Sequence, residues 1–258
     1  MTTWDAFILG CVQALTEFLP VSSSGHLVLA RDLLNAEAIG DGAAFEVAVH
    51  MGTLLSVVCI LWPEIKELIS GVRDRGEAWL GRMMFLVVGT LPAGIAGLLW
   101  RHELEAAFGN IKGVGVALCV TGVVLLATLK LHGSRVKVGW RDGLIVGVAQ
   151  AAAILPGVSR SGSTIATALM LGIKRAEAAR LSFLLSLPVV AGAGLLKGLD
   201  LLEAPPTSDE MTALWVGALT SFFVGLAALK LMLKWVEGHA FSFFGVYCIA
   251  VGAWALMG

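Results

Sequence analysis

Six stretches of mostly apolar residues recur along the chain: Ala43–Trp62, Leu80–Trp100, Ile111–Leu129, Ala179–Leu199, Met211–Leu233 and Phe241–Leu256. A helix crossing a bilayer needs about 20 such residues, so each predicts a transmembrane helix. Two further segments break this pattern in the same way. Gln13–His26 reads QALTEFLPVSSSGH and Gln150–Ser163 reads QAAAILPGVSRSGS. Each has an apolar arm, a Leu-Pro pair, a Ser-rich turn closing on Gly, and a short second arm (His26–Leu34 and Thr164–Gly172). Neither arm is long enough to span, so both segments predict re-entrant helix–turn–helix hairpins. Irregular backbone at membrane depth is tolerated only when it lines a cavity or is buried in protein.

Gln13 and Gln150 are 137 residues apart, and so are Ser22 and Ser159 and Gly25 and Gly162. The chain thus predicts a single membrane domain built from two repeats, 1–130 and 131–258. Each repeat holds one hairpin and three spanning helices. Three is odd, so the second repeat starts on the opposite face, and the repeats are inverted. Broken segments at corresponding places in two halves point to a binding site near the midplane.

Charge sets the orientation. Thirteen of the 18 Lys and Arg residues fall on one side, in the Pro63–Arg82 and Lys130–Arg141 loops and at Lys174, Arg175, Arg180, Lys230 and Lys234. Arg31, Arg101, Lys112 and Lys197 fall on the other, and Arg160 lies in the second turn. The positive-inside rule then places both termini outside, the first hairpin entering from outside and the second from the cytoplasm. Gly113/Gly115 and Gly192/Gly194 suit close helix packing, compatible with a homodimer as with a monomer. Pro92 and Pro188 predict kinks.

Composition agrees: 57% hydrophobic, 14% charged, mean hydropathy +0.86, against about 25% charged in a soluble domain. A net charge of −1 gives no basic field for nucleic acid. No cation precedes Arg31, so the first apolar stretch reads as mature fold rather than a signal peptide. Cys11, Cys59, Cys119 and Cys248 stand singly, without metal or redox spacing.

Three ionisable residues stand out because they lie in embedded segments: Glu17, His26 and Arg160. Such a group costs at least ~2.5 kcal/mol on insertion scales, so it is a functional candidate by default. Gln13 and Glu17 share a helix face at i, i+4, and their oxygens suit a hard cation such as Mg²⁺ or Ca²⁺. Ser22, Ser23, Ser24 and Gly25 in one turn, and Ser159, Ser161, Gly162, Ser163 and Thr164 in the other, offer hydroxyls and free N–H groups at helix starts, which suits a phosphate. Helix capping accounts for one Ser per turn, not three. Arg160 adds a planar fork matched to phosphate oxygens. His26 suits a base, a nucleophile or a leaving-group acid, with Ser22 or Ser23 three or four residues before it. Glu46 and His50, another i, i+4 pair, could line the same cavity, but hydrogen bonding within the bundle is the preferred reading. Glu64, Glu67, Asp74 and Glu77 read as solvated loop charges.

These motifs resemble the undecaprenyl-diphosphate phosphatase, or bacitracin-resistance, family. The residues that carry the likeness are Gln13-Ala-Leu-Thr-Glu17, Pro20-Val-Ser-Ser-Ser-Gly-His26, Pro156-Gly-Val-Ser-Arg-Ser-Gly-Ser-Thr164 and the FEVAVHMGT stretch. Gln13 stands where relatives often carry an acid, and Ser24 where many carry Thr. The resemblance implies hydrolysis of undecaprenyl diphosphate to undecaprenyl phosphate, recycling the lipid carrier of envelope glycans in the bacterial inner membrane. It implies a divalent cation and a site opening outward. It implies Glu17, Ser23, His26 and Arg160 as the catalytic set, with Ser22, Ser159, Ser161 and Thr164 around the phosphates. Whether Ser23, His26 or water attacks phosphorus stays open. The alternative is a transporter or flippase of a phosphorylated lipid or anion, since inverted repeats with broken helices also mark alternating-access carriers.

Overall fold

The computed structural model describes residues 1–36, 43–70, 76–107, 109–131, 133–203, 205–236 and 240–257. Asp74, read above as a solvated loop charge, and Arg73 and Arg75, counted in the Pro63–Arg82 loop, lie outside them. The described residues are helical: α1 (Thr3–Phe18), α2 (Ser23–Leu34), α3 (Ala43–Ile60), α4 (Trp62–Ser70), α5 (Glu77–Leu99), α6 (Arg101–Ala107), α7 (Ile111–Ala127), α8 (Trp140–Ala152), α9 (Arg160–Met170), α10 (Arg175–Glu203), α11 (Ser208–Trp235) and α12 (Ala240–Met257). No strand occurs among them beyond a single bridge between Arg135 and Ile173.

Local chemistry sets the hairpin boundaries. Thr2 caps α1 and shares a reciprocal capping box with Asp5. The helix stops at Leu19, which is extended because Pro20 follows. Ser22 caps α2 through the Gly25 N–H, and Ser159 caps α9 through the Gly162 N–H. Asn35 closes α2 in the left-handed conformation.

Each of the six expected spanning stretches is helical. α5, α10 and α11 are long and apolar enough to cross a bilayer, and α3 with α4 forms a fourth candidate bent by 73°. α7 and α12 are shorter apolar helices. α5 and α10 run unbroken through Pro92 and Pro188. Large apolar side chains point outward at helical spacing, as at Val87, Leu91 and Ile95 on α5 and Val116, Val120 and Val123 on α7. Outward apolar stripes of this kind on long helices make this a multi-pass membrane protein.

The packing is paired. α1 lies against α11 and α2; α8 lies against α5 and α9. α3 packs on α11 and α10 on α5, while α3 meets α10 and α7 meets α12. Glycine lets these backbones touch: a Cβ on Gly147 would sit 2.4 Å from the Gly89 carbonyl. The expected glycine pairs divide. Gly115 and Gly194 meet neighbouring helices, whereas Gly113 meets only its own cap Asn110 and Gly192 faces open space. The largest core cluster lies under the two turns, where Phe18 meets Phe183 edge-on at 5.7 Å.

Candidate active site

The two Ser-rich turns touch. A Cβ on Gly25 would lie 3.0 Å from Gly157 Cα, tighter than an ordinary contact. Gly157 itself has φ +96, a conformation open mainly to glycine. Ser22 adopts φ 68, a strained value for a residue with a side chain. That backbone aims its hydroxyl between the turns, where it accepts from the Gly25 N–H at 3.4 Å and the Gly157 N–H at 3.1 Å. Thr121 ties the second turn to α7, donating to the Gly157 carbonyl and accepting from the Ser159 N–H, both at 3.0 Å.

Glu17 is the centre of the site. Its Oε1 is ion-paired with Arg160 Nη2 of the opposite turn. Its Oε2 accepts from Ser23 Oγ at 2.5 Å and from Gln13 Nε2 at 3.1 Å, and His50 Nε2 lies 3.5 Å away. The carboxylate is buried, with 7% of its side chain exposed, so these partners offset its desolvation. Arg160 spends only part of its fork on Glu17: Nη1 is buried without a hydrogen-bond partner.

A cavity of about 300 Å³ opens beside this pair. Glu17, Ser22, Ser23, Ser24, Arg160, Glu46, His50 and Gln150 form its polar side, and Val47, Ile154, Val158, Val189 and Val190 lie on the apolar side. Glu46 and His50 therefore belong to the cavity, not only to bundle hydrogen bonding as the spacing suggested. His50 Nδ1 bonds to the Glu46 carbonyl at 2.7 Å, and Glu46 pairs with Arg31 at 3.2 Å. Gln150, 1% exposed, has neither amide atom hydrogen-bonded.

Several expected partnerships take another form. His26 does not line the cavity. Its Nδ1 meets the Ser22 carbonyl at 2.8 Å, and its Nε2 meets the Tyr247 hydroxyl of α12 at 2.9 Å, with the rings stacked. The expected contact of His26 with a Ser22 or Ser23 hydroxyl is not formed. Ser159 caps α9, Ser161 Oγ donates to the Leu19 carbonyl at 3.1 Å, and Thr164 Oγ1 meets Ser182 Oγ at 2.6 Å. Those hydroxyls hold the turn in place, and neither they nor Gly162 and Ser163 line the cavity. A hard cation fits the donor set in kind: Gln13 Oε1 is a buried acceptor without a partner, next to the Glu17 carboxylate. No group of three or more His, Cys, Asp or Glu suited to a metal occurs among the described residues.

A second cavity, of about 480 Å³, lies between α4, α5 and α10. Four of its charged residues pair with one another: Arg82 with Glu177 at 2.8 Å and Arg180 with Glu64 at 3.8 Å. Glu64 is thus an ion-pair partner rather than a purely solvated charge.

Comparison with known proteins gives one consistent answer. The family model described as bacitracin resistance protein BacA matches residues 6–254. The undecaprenyl-diphosphatase of Salinibacter ruber is 38% identical over 99% of both chains. That of Christiangramia forsetii is 38% identical over 100% of this chain and 98% of its own. That of Korarchaeum cryptofilum is 40% identical over 96% of each.

Proposed function

The chain belongs to the bacitracin resistance protein BacA family, and from that premise we propose how its turns hydrolyse undecaprenyl diphosphate to undecaprenyl phosphate and phosphate. One observation carries the assignment of the site. Arg160 and Glu17, from opposite turns, form a buried pair that leaves Arg160 Nη1 free beside a serine already bonded to the carboxylate.

The cavity has room for a headgroup but not for a long isoprenoid, whose tail lies between helices in the hydrocarbon. Arg160 Nη1 and the hydroxyls of Ser22 and Ser24 face the phosphates. Ser23 attacks the terminal phosphorus. Its proton passes to Glu17 Oε2, and the bond to the bridging oxygen breaks with the electron pair leaving on undecaprenyl phosphate. Glu17 takes the base role that sequence alone left to His26, because the Ser23 hydroxyl already points at it. Positioning and charge neutralisation carry most of such a phosphoryl transfer. A divalent cation, Mg²⁺ or Ca²⁺, would be held by Glu17 and Gln13 and would supply further neutralisation of the diphosphate.

We read the fold as inverted repeats, 1–130 and 131–258, with six spans and two re-entrant hairpins. The packing supports this: α1 on α11 is matched by α8 on α5, and α3 on α11 by α10 on α5. The cation distribution supports termini outside the inner membrane; a site opening outward rests on the family resemblance alone.

The test is phosphate release from a polyprenyl diphosphate by protein purified in detergent. Release should be lost in Arg160→Ala, Glu17→Ala and Ser23→Ala. Full turnover in Ser23→Ala would move the attack to another nucleophile. No release by the unaltered protein would overturn the assignment.

A further inference from the structure

Gln150 lines the cavity but has no part in the proposed chemistry. It sits in the last turn of α8 and lines the same cavity as Ser23 and Arg160. It is 1% exposed, yet neither Oε1 nor Nε2 has a hydrogen-bond partner. A buried amide left unpaired is costly, and natural interiors rarely keep one without a reason. A methionine would fill nearly the same volume without that cost. Its counterpart in the first turn, Gln13, spends its Nε2 on Glu17; Gln150 has no carboxylate to bind, because Ile154 stands where the first segment has Glu17.

We infer that Gln150 positions the hydrolytic water. This rests on the reading of Ser23 as nucleophile. A primary amide both accepts and donates within one plane, so it can hold a water and a phosphoryl oxygen at once. Glutamine orients an attacking water in this manner in other phosphoryl-transfer sites. Here Oε1 accepts one O–H of the water, and Nε2 donates to a non-bridging oxygen of the phosphate carried by Ser23. The water oxygen forms the new bond to phosphorus as the bond from Ser23 Oγ to phosphorus breaks. Ser23 recovers from Glu17 the proton it gave up. Both water protons leave with the product as dihydrogen phosphate, and Glu17 returns to the carboxylate. Gln150 is thus a catalytic residue of the second half-reaction and a bystander in the first.

The experiment compares the unaltered protein, Gln150→Met and Gln150→Ala in detergent, with a terminally ³²P-labelled polyprenyl diphosphate. Steady-state phosphate release should fall about ten- to hundredfold in both variants, as for loss of a hydrogen bond to a charged group. A burst of lipid monophosphate should persist, and label should accumulate on Ser23. The thermal midpoint of Gln150→Met should equal or exceed that of the parent, since a buried unpaired amide has been removed. Unchanged turnover would overturn the inference. So would a raised KM with unchanged kcat, or a Gln150→Met that loses stability in step with activity. Failure of the Ser23 reading shows separately: no label on Ser23 in the acid-quenched unaltered protein, and none in either variant.

Discussion

Replacing Arg160 with Met removes one half of a buried ion pair and leaves the other stranded. Glu17 is 7% exposed, and its Oε1 has Arg160 as partner. Breaking such a pair from one side costs about 3–5 kcal/mol. Oε2 keeps its bonds from Ser23 and Gln13, which places the expected cost at the lower end of that range, about 3 kcal/mol. Glu17→Gln strands the guanidinium instead. Arg160 has 18% of its side chain exposed and keeps some hydration, so about 2–3 kcal/mol is expected there. The double variant Glu17→Gln/Arg160→Met leaves no unpaired charge and should lose no more than about 2 kcal/mol. The coupling is therefore at least about 3 kcal/mol. Unfolding in mixed detergent micelles over a denaturant series would measure all four proteins. Phosphate release should be at least about a hundredfold down in all three variants: Arg160→Met loses charge stabilisation at phosphorus, Glu17→Gln loses the base for Ser23, and the double variant loses both. A double variant whose loss lies within about 1 kcal/mol of the summed single losses would show that the two charges do not depend on each other.

Other outcomes follow from the same geometry. Gly157→Ala should destabilise more than Gly25→Ala, since Gly157 has φ +96 and its Cβ would meet the Val114 carbonyl at 2.6 Å, against 3.0 Å for the nearest atom to a Cβ on Gly25; thermal melts of both would rank them. Tyr247→Phe severs the bond to His26 Nε2 and should cost about 1 kcal/mol, seen as a fall of about 2–4 °C in Tm, with kcat nearly unchanged if His26 serves to brace the turn. Chelation by EDTA should lower phosphate release, and added Mg²⁺ or Ca²⁺ should restore it; Gln13→Ala should raise the cation concentration needed for half-maximal rate.

Much of the site was legible because charge in an apolar segment is conspicuous. Glu17 and Arg160 stood out for that reason, and the 137-residue echo placed them in facing turns. What spacing does not reveal is direction. Glu46 and His50 share a helix face at i, i+4, but only packing of α3 on α10 turns that face to the cavity. The serines of the second turn read as phosphate ligands by type, yet Ser161 and Thr164 are drawn off by Leu19 and Ser182. Tyr247 lies 221 residues from His26, in a helix whose pattern marks it only as apolar. Gln150 was visible as part of the repeat, but its unpaired amide is a property of the fold alone.

The tie between the turns also has a meaning for how the chain is made. Arg160 follows Glu17 by 143 residues, and Gly157 follows Ser22 by 135. At about 5–20 residues per second, the first turn waits roughly 7–30 s before its counter-ion has been synthesised. Until then the Glu17 carboxylate has hydrogen bonds from Ser23 and Gln13 but no counter-ion to offset the rest of its desolvation. In the proposed inverted topology the first hairpin therefore idles at the water interface and docks when the second arrives from the other side. The nascent first half is an incomplete object, and ribosomes stalled before residue 160 should leave a chain that the cell's membrane proteases recognise and clear.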